Sequence, residues 1–117
     1  MNDDTRLWHV TITVGGAPHE STAVCDALQR LADERPFLHD LRYATTTAEI
    51  SYWEQADGML DAASLALRVW REHRDTAGLP QWEVVGLEVL ERQTFQRRAA
   101  SSTPALVGLA DARPRQL

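Results

Sequence analysis

Lysine is missing from this chain of 117 residues: its twelve basic residues are all arginine, set against seventeen Asp and Glu, for a formal net charge of −5. A negative surplus repels phosphate backbones, so no nucleic-acid partner is expected. Cysteine is nearly missing too. Cys25 stands alone, which excludes an internal disulfide, and beside Val24 it reads as a small buried hydrophobe rather than a nucleophile. No apolar run approaches the length of a membrane span, and Asn2-Asp3-Asp4 lacks the basic start of a signal peptide. A cytoplasmic protein with no membrane partner is therefore expected. The four histidines, His9, His19, His39 and His73, fall on separate elements with no His-x-x-x-His spacing, so no metal site is expected. No cofactor fingerprint is present, and none is expected to be bound.

What is present is an ordered series of hydrophobic periods. Leu7 to Val14 alternates, with Trp8, Val10, Ile12 and Val14 on one side and His9, Thr11 and Thr13 on the other. Gly15-Gly16 reads as a simple turn, and Pro18 suits the start of a helix whose stripe is Val24, Ala27, Leu28 and Leu31, ended by Pro36. Phe37 to Ala44 and Ala48 to Glu54 form a strand pair with Thr45, Thr46 and Thr47 at the tip. Asp57 is placed to cap a second helix with the stripe Leu60, Ala63, Leu67 and Trp70. Gly78-Leu79-Pro80 should stop it, with Gly78 in the left-handed conformation. Trp82 to Leu90 is the last strand, with Val85, Leu87 and Val89 on its apolar side.

This order predicts an α+β domain, a ferredoxin-like βαββαβ fold with a four-stranded antiparallel sheet and two helices on one face. It should span residues 6–98, between a disordered 1–5 and a flexible tail over 99–117. The core set is Trp8, Val10, Ile12, Leu28, Leu31, Leu41, Tyr43, Ile50, Tyr52, Leu67, Trp70, Val85 and Leu87. The uncovered face would carry His9, Thr11, Thr13, Arg42, Glu49, Ser51, Trp53, Trp82 and Val84.

The layout resembles the ferredoxin-like superfamily, including ligand-sensing domains of the ACT type and dimeric α+β-barrel proteins. Arg35-Pro36-Phe37, Ser51-Tyr52-Trp53 and Gly78-Leu79-Pro80-Gln81-Trp82 also look like segments of small uncharacterised bacterial proteins. The fold alone does not assign an activity. An RNA-recognition reading is set aside because Trp53 sits among Glu49 and Glu54, and an acylphosphatase reading because Gly15-Gly16-Ala17-Pro18-His19 holds no arginine. His39-Asp40 is set aside as an acid–base pair, since adjacent strand residues point to opposite faces. Arg68, Arg71, Glu72, Arg74 and Asp75 read as the wet side of the second helix, and His73 as a solvated residue late in it.

The expected function is non-enzymatic: a binding or assembly module that homodimerises through the uncovered face, with Trp53 and Trp82 as anchors and His9, Thr11, Glu49 and Ser51 around them. A small-molecule ligand is compatible with the same surface. One alternative is a dimeric α+β-barrel type of enzyme or biosynthetic accessory protein acting on a flat apolar substrate. There His9 would be the acid/base, with Ser51 and Thr11 orienting the substrate and Trp53 stacking on it. Another is an ACT-like sensor acting on a separate partner.

Overall fold

Residues 6–35, 38–74, 78–100 and 114–117 are described by the computed structural model. In chain order the elements are β1 (Arg6–Gly15), α1 (Ser21–Glu34), β2 (Leu38–Tyr43), β3 (Thr47–Ala56), α2 (Met59–Arg74), β4 (Glu83–Glu91), α3 (Arg92–Ala100) and β5 (Arg115–Gln116). Four antiparallel strands form an open sheet in the order β4-β1-β3-β2, and β5 adds a short parallel edge beside β2. The α+β class and the central placement of β1 and β3 match the expectation. Among the described residues no helix is long and apolar enough to cross a membrane.

Alternation decides the core. Val10, Ile12 and Val14 of β1 and Ile50 and Tyr52 of β3 are fully buried, and they share one cluster with Val24, Leu28 and Leu31 of α1 and Ala66, Val69 and Trp70 of α2. Trp8, Ala56 and Ala62 make a smaller cluster, with Trp8 Nε1 donating to the Ala56 carbonyl at 3.1 Å. Burying each large side chain is worth about 1.5–3 kcal/mol against chain entropy. Gly78 has φ +66, and the Leu79 N–H bonds the Arg74 carbonyl at 2.8 Å, which closes α2 as its Gly-Leu-Pro sequence predicts.

The helix and strand phases depart from the sequence reading in three places. First, the buried side of α2 is Ala62, Ala66, Val69 and Trp70, while Leu60 (83% exposed) and Leu67 face outward. The larger leucines had outweighed the alanines, yet small residues let this helix approach the sheet. Second, β4 carries a bulge. Thr13 pairs with Gly86 and Val14 with Val84, leaving Val85 as an extra residue. Side-chain parity reverses there. Val85 is 67% exposed, Val84 packs on the core, and Trp82 lies 1% exposed within it. Trp82 was expected on the uncovered face. Its ring instead lies against Gly16, where a Cβ would come within 2.6 Å of Cδ1, and its Nε1 donates to the Ala17 carbonyl at 2.7 Å. The Trp70 indole donates to the Trp82 carbonyl at 2.8 Å, and the two rings belong to one core.

Third, the chain beyond β4 is not tail alone. Arg92 to Ala100 is helical, although none of its residues is buried, and Arg115–Gln116 pairs with Arg42 and Tyr43. The expectation of disorder over residues 1–5, Phe37 as the first residue of β2, and most of the expected flexible tail lie outside the described residues. Cys25 is half-buried rather than buried.

Candidate functional site

On β1 the residues between the core positions, His9, Thr11 and Thr13, project from the opposite side of the sheet. The pairing registers arrange that side in transverse rows. His9 stands opposite Trp53 and Leu90; Thr11 stands opposite Ser51 and Glu88, and Ser51 opposite Asp40; Thr13 stands opposite Glu49, and Glu49 opposite Arg42. Successive rows lie about 7 Å apart, two strand residues at ~3.3 Å each.

The first row is aromatic. The α3 helix crosses it, and Phe95 stacks on the His9 ring at 3.9 Å between centroids and 24° between planes. Trp53 meets both rings edge-on, at 5.1 Å from His9 and 5.0 Å from Phe95. His39 joins because β2 also bulges: pairing shifts between Leu38 and Asp40, so His39 is the extra residue. Its Nε2 lies 2.7 Å from His9 Nε2. A strict alternation separates His39 from Asp40 across the sheet; the bulge brings both to the His9 side, which reverses the expectation for that pair.

Two imidazole nitrogens at this distance share one proton, so one ring donates and the other, neutral, accepts. Burial pushes His9 down to about 4, reinforced by His39 and opposed by the Asp40 carboxylate. Burial lowers His39 as well, again against Asp40. His9 is 5% exposed, and its Nδ1 has no hydrogen-bond partner among the described residues.

The next rows are polar. His9, Thr11, Thr13, Asp40, Arg42, Glu49, Ser51, Leu87 and Glu88 line a concavity of about 490 Å³. Thr11 and Ser51 share a hydrogen bond at 3.0 Å. Asp40 pairs with Arg42 at 3.3 Å, and Glu88 with Arg98 of α3 at 3.3 Å. Hydroxyls, carboxylates and an arginine at the end of an aromatic row can orient a polar ligand. Among the described residues no group of three His, Cys, Asp or Glu is placed to hold a metal.

Of the six residues expected at the site, His9, Thr11, Glu49, Ser51 and Trp53 share this face, while Trp82 lies in the core on the other. Phe95, His39 and Asp40 were missed as participants. Phe95 had a readable signal: it is a lone aromatic in Arg92–Arg98, a stretch without glycine or proline. The bulge that recruits His39 has none.

A second polar cluster joins the ends of α1 and α2. His73 lies 3.0 Å from Glu34 through Nδ1 and 2.9 Å from Arg35 through Nε2. A guanidinium only donates, so Nε2 accepts, and the ring proton sits on Nδ1, facing Glu34. This histidine is a half-buried link between helices rather than a solvated residue. Gly15 is the last residue of β1 rather than part of a turn, and the Gly16 N–H that follows is bonded to the Thr46 carbonyl at 3.1 Å.

No curated protein matches the chain. A family match covers residues 7–105, which includes both faces of the sheet and all of α3. The chain belongs to the family described as Domain of unknown function (DUF8830).

Proposed function

We propose that this domain is a small-molecule binding module of ferredoxin-like architecture, with α1 and α2 on one face and the ligand pocket on the other. The shared core of α1, α2 and the even-numbered β1 residues supports the architecture. One observation carries the binding reading: the 490 Å³ concavity whose floor is the Thr11–Ser51 hydroxyl pair and whose end wall is His9. A pocket with a few placed polar groups beside aromatic rings is a common form of ligand site.

Homodimerisation through the sheet face loses one of its two proposed anchors with Trp82 in the core, and Phe95 covers part of the other. A second reading keeps the homodimer and moves it. Val85 and Leu87 are exposed on the edge strand β4, and Leu67 of α2 lines a groove beside Glu83 and Val84. Sedimentation of the full chain and of Leu67→Glu distinguishes the two: a dimer dissolved by this change establishes the edge as the contact.

The binding reading is tested by screening small polar and aromatic compounds against ¹⁵N-labelled full-length protein. Supporting shifts cluster at Thr11, Thr13 and Ser51 and vanish in Thr13→Tyr, which fills the concavity. Shifts scattered elsewhere, or unchanged in that variant, overturn it.

A further inference from the structure

We infer that the pocket selects compounds in which an aromatic ring and a cationic amine are separated by a short linker, and that α3 is its intramolecular competitor. The inference rests on the binding reading above and deepens it.

The spacing comes from the rows. The aromatic row holds His9 and Trp53, and the adjacent row holds Ser51 and Thr11 between the carboxylates of Asp40 and Glu88. A ring seated against His9 therefore has this row about 7 Å away along the strands, with Glu88 one strand to one side and Asp40 two strands to the other at ~4.8 Å per strand. Glu88 is the carboxylate within reach of a two-carbon amine chain from an indole.

The α3 helix already presents this pattern. Phe95 fills the ring position, stacked on His9 and edge-on to Trp53, while Arg98 brings its guanidinium to Glu88 at 3.3 Å. Residues three apart lie on the same side of a helix, so one short helix delivers a ring and a cation together. The helix sits shallowly on the sheet, since none of its residues is buried. An element with so little burial opens at low cost.

Charge favours a cation over an anion. Asp40, Glu49 and Glu88 line the concavity against Arg42 alone from the sheet, and Glu49 makes no ion pair among the described residues. Displacing α3 also withdraws Arg98 from Glu88, so the pocket becomes more acidic as the ring position empties. Ligand and helix thus compete for both halves of the site. Their affinities are linked: whatever fraction of the protein has α3 docked reduces the apparent affinity in proportion.

The test titrates full-length protein with tryptamine, and with indole-3-acetate as a ring of similar shape and opposite charge, following the Ser51 and Thr11 amides and the His9 imidazole by NMR. Tryptamine is expected to bind saturably at this face and about fivefold or more tighter in Phe95→Ala, where the competitor is gone. Phe95→Leu, which keeps bulk without a stacking ring, should fall between the two and guards against a variant that fails to fold. Glu88→Gln in the Phe95→Ala background should weaken tryptamine about fivefold and leave indole-3-acetate unchanged or stronger. Equal binding of the two indoles, or no gain in either Phe95 variant, overturns the inference. Polar compounds that still bind at Thr13 and Ser51 while tryptamine does not leave the pocket standing and remove only the ligand class. If nothing binds at this face, the pocket reading falls as well.

Discussion

Within the same ten residues of β1, Val10, Ile12 and Val14 are sealed among aliphatic and aromatic neighbours, while His9, Thr11 and Thr13 meet a second histidine, hydroxyls and a loosely held helix. The two sides differ in what satisfies them. The aliphatic side needs only volume and the exclusion of water, so its stability is spread over many contacts of similar kind. The polar side depends on particular atoms: a proton shared between His9 and His39, a hydroxyl pair, and one ring laid over another. Losses on the first side should therefore be large and insensitive to pH. Losses on the second should be smaller, pH-dependent and coupled to α3.

The largest effect expected is on the aliphatic side. Trp82→Ala should cost about 3–5 kcal/mol in urea unfolding, as truncation of a buried tryptophan does. A cost below about 1 kcal/mol would place Trp82 outside the core. Gly16→Ala should cost about 1–3 kcal/mol through overpacking, because its Cβ would press on the Trp82 ring.

Acidification sharpens the contrast from the other side. His9 is held down to about 4 and His39 is lowered too, so between pH 6.5 and about 4 the unfolded chain takes up protons that the folded chain refuses. The folded state is thus favoured above pH 6.5 and loses stability as pH falls towards 4. A thermal melt series should show that decline in the native protein and a flatter one in His9→Phe. Equal slopes in both would separate the pH response from this pair.

Smaller effects test the cover and the floor. Phe95→Ala should cost about 1–2 kcal/mol, less than a fully buried ring, and should speed tryptic cleavage after Arg97 and Arg98. Thr11→Val should cost about 1 kcal/mol, because it leaves the nearly buried Ser51 hydroxyl without its partner. If Thr11→Val proved as damaging as Trp82→Ala, the distinction between the two sides would collapse.

How much of this was legible follows from the physics of each element. The β1 alternation assigned seven consecutive side chains, Trp8 to Val14, to their faces, because a regular strand has no freedom to do otherwise. Gly78-Leu79-Pro80 was legible for a comparable reason: each residue permits or forbids a specific backbone conformation. The stripe of α2 was misread because apolar size was weighed without knowing how closely the helix approaches; alanines, not leucines, face the sheet. Trp82 and His39 were misplaced by bulges, which depend on pairing between strands and leave no local mark. The site was legible in its regular part, His9, Thr11, Ser51 and Glu49, and illegible where an extra residue or a distant helix completes it.

Val85 is the extra residue in β4, and its side chain stands mostly in water. Removing it would take away almost no packing of its own. Without it Gly86 and Val84 would be neighbours, still opposite Thr13 and Val14, and the plain alternation that results would keep Val84 and Trp82 on the core side, with the indole over Gly16. Pairing across the strands, rather than the number of links between two turns, thus decides which side chains stay dry. Two chains of different length could then share one interior while differing by a single deletion, an equivalence that substitution scanning alone would never reveal.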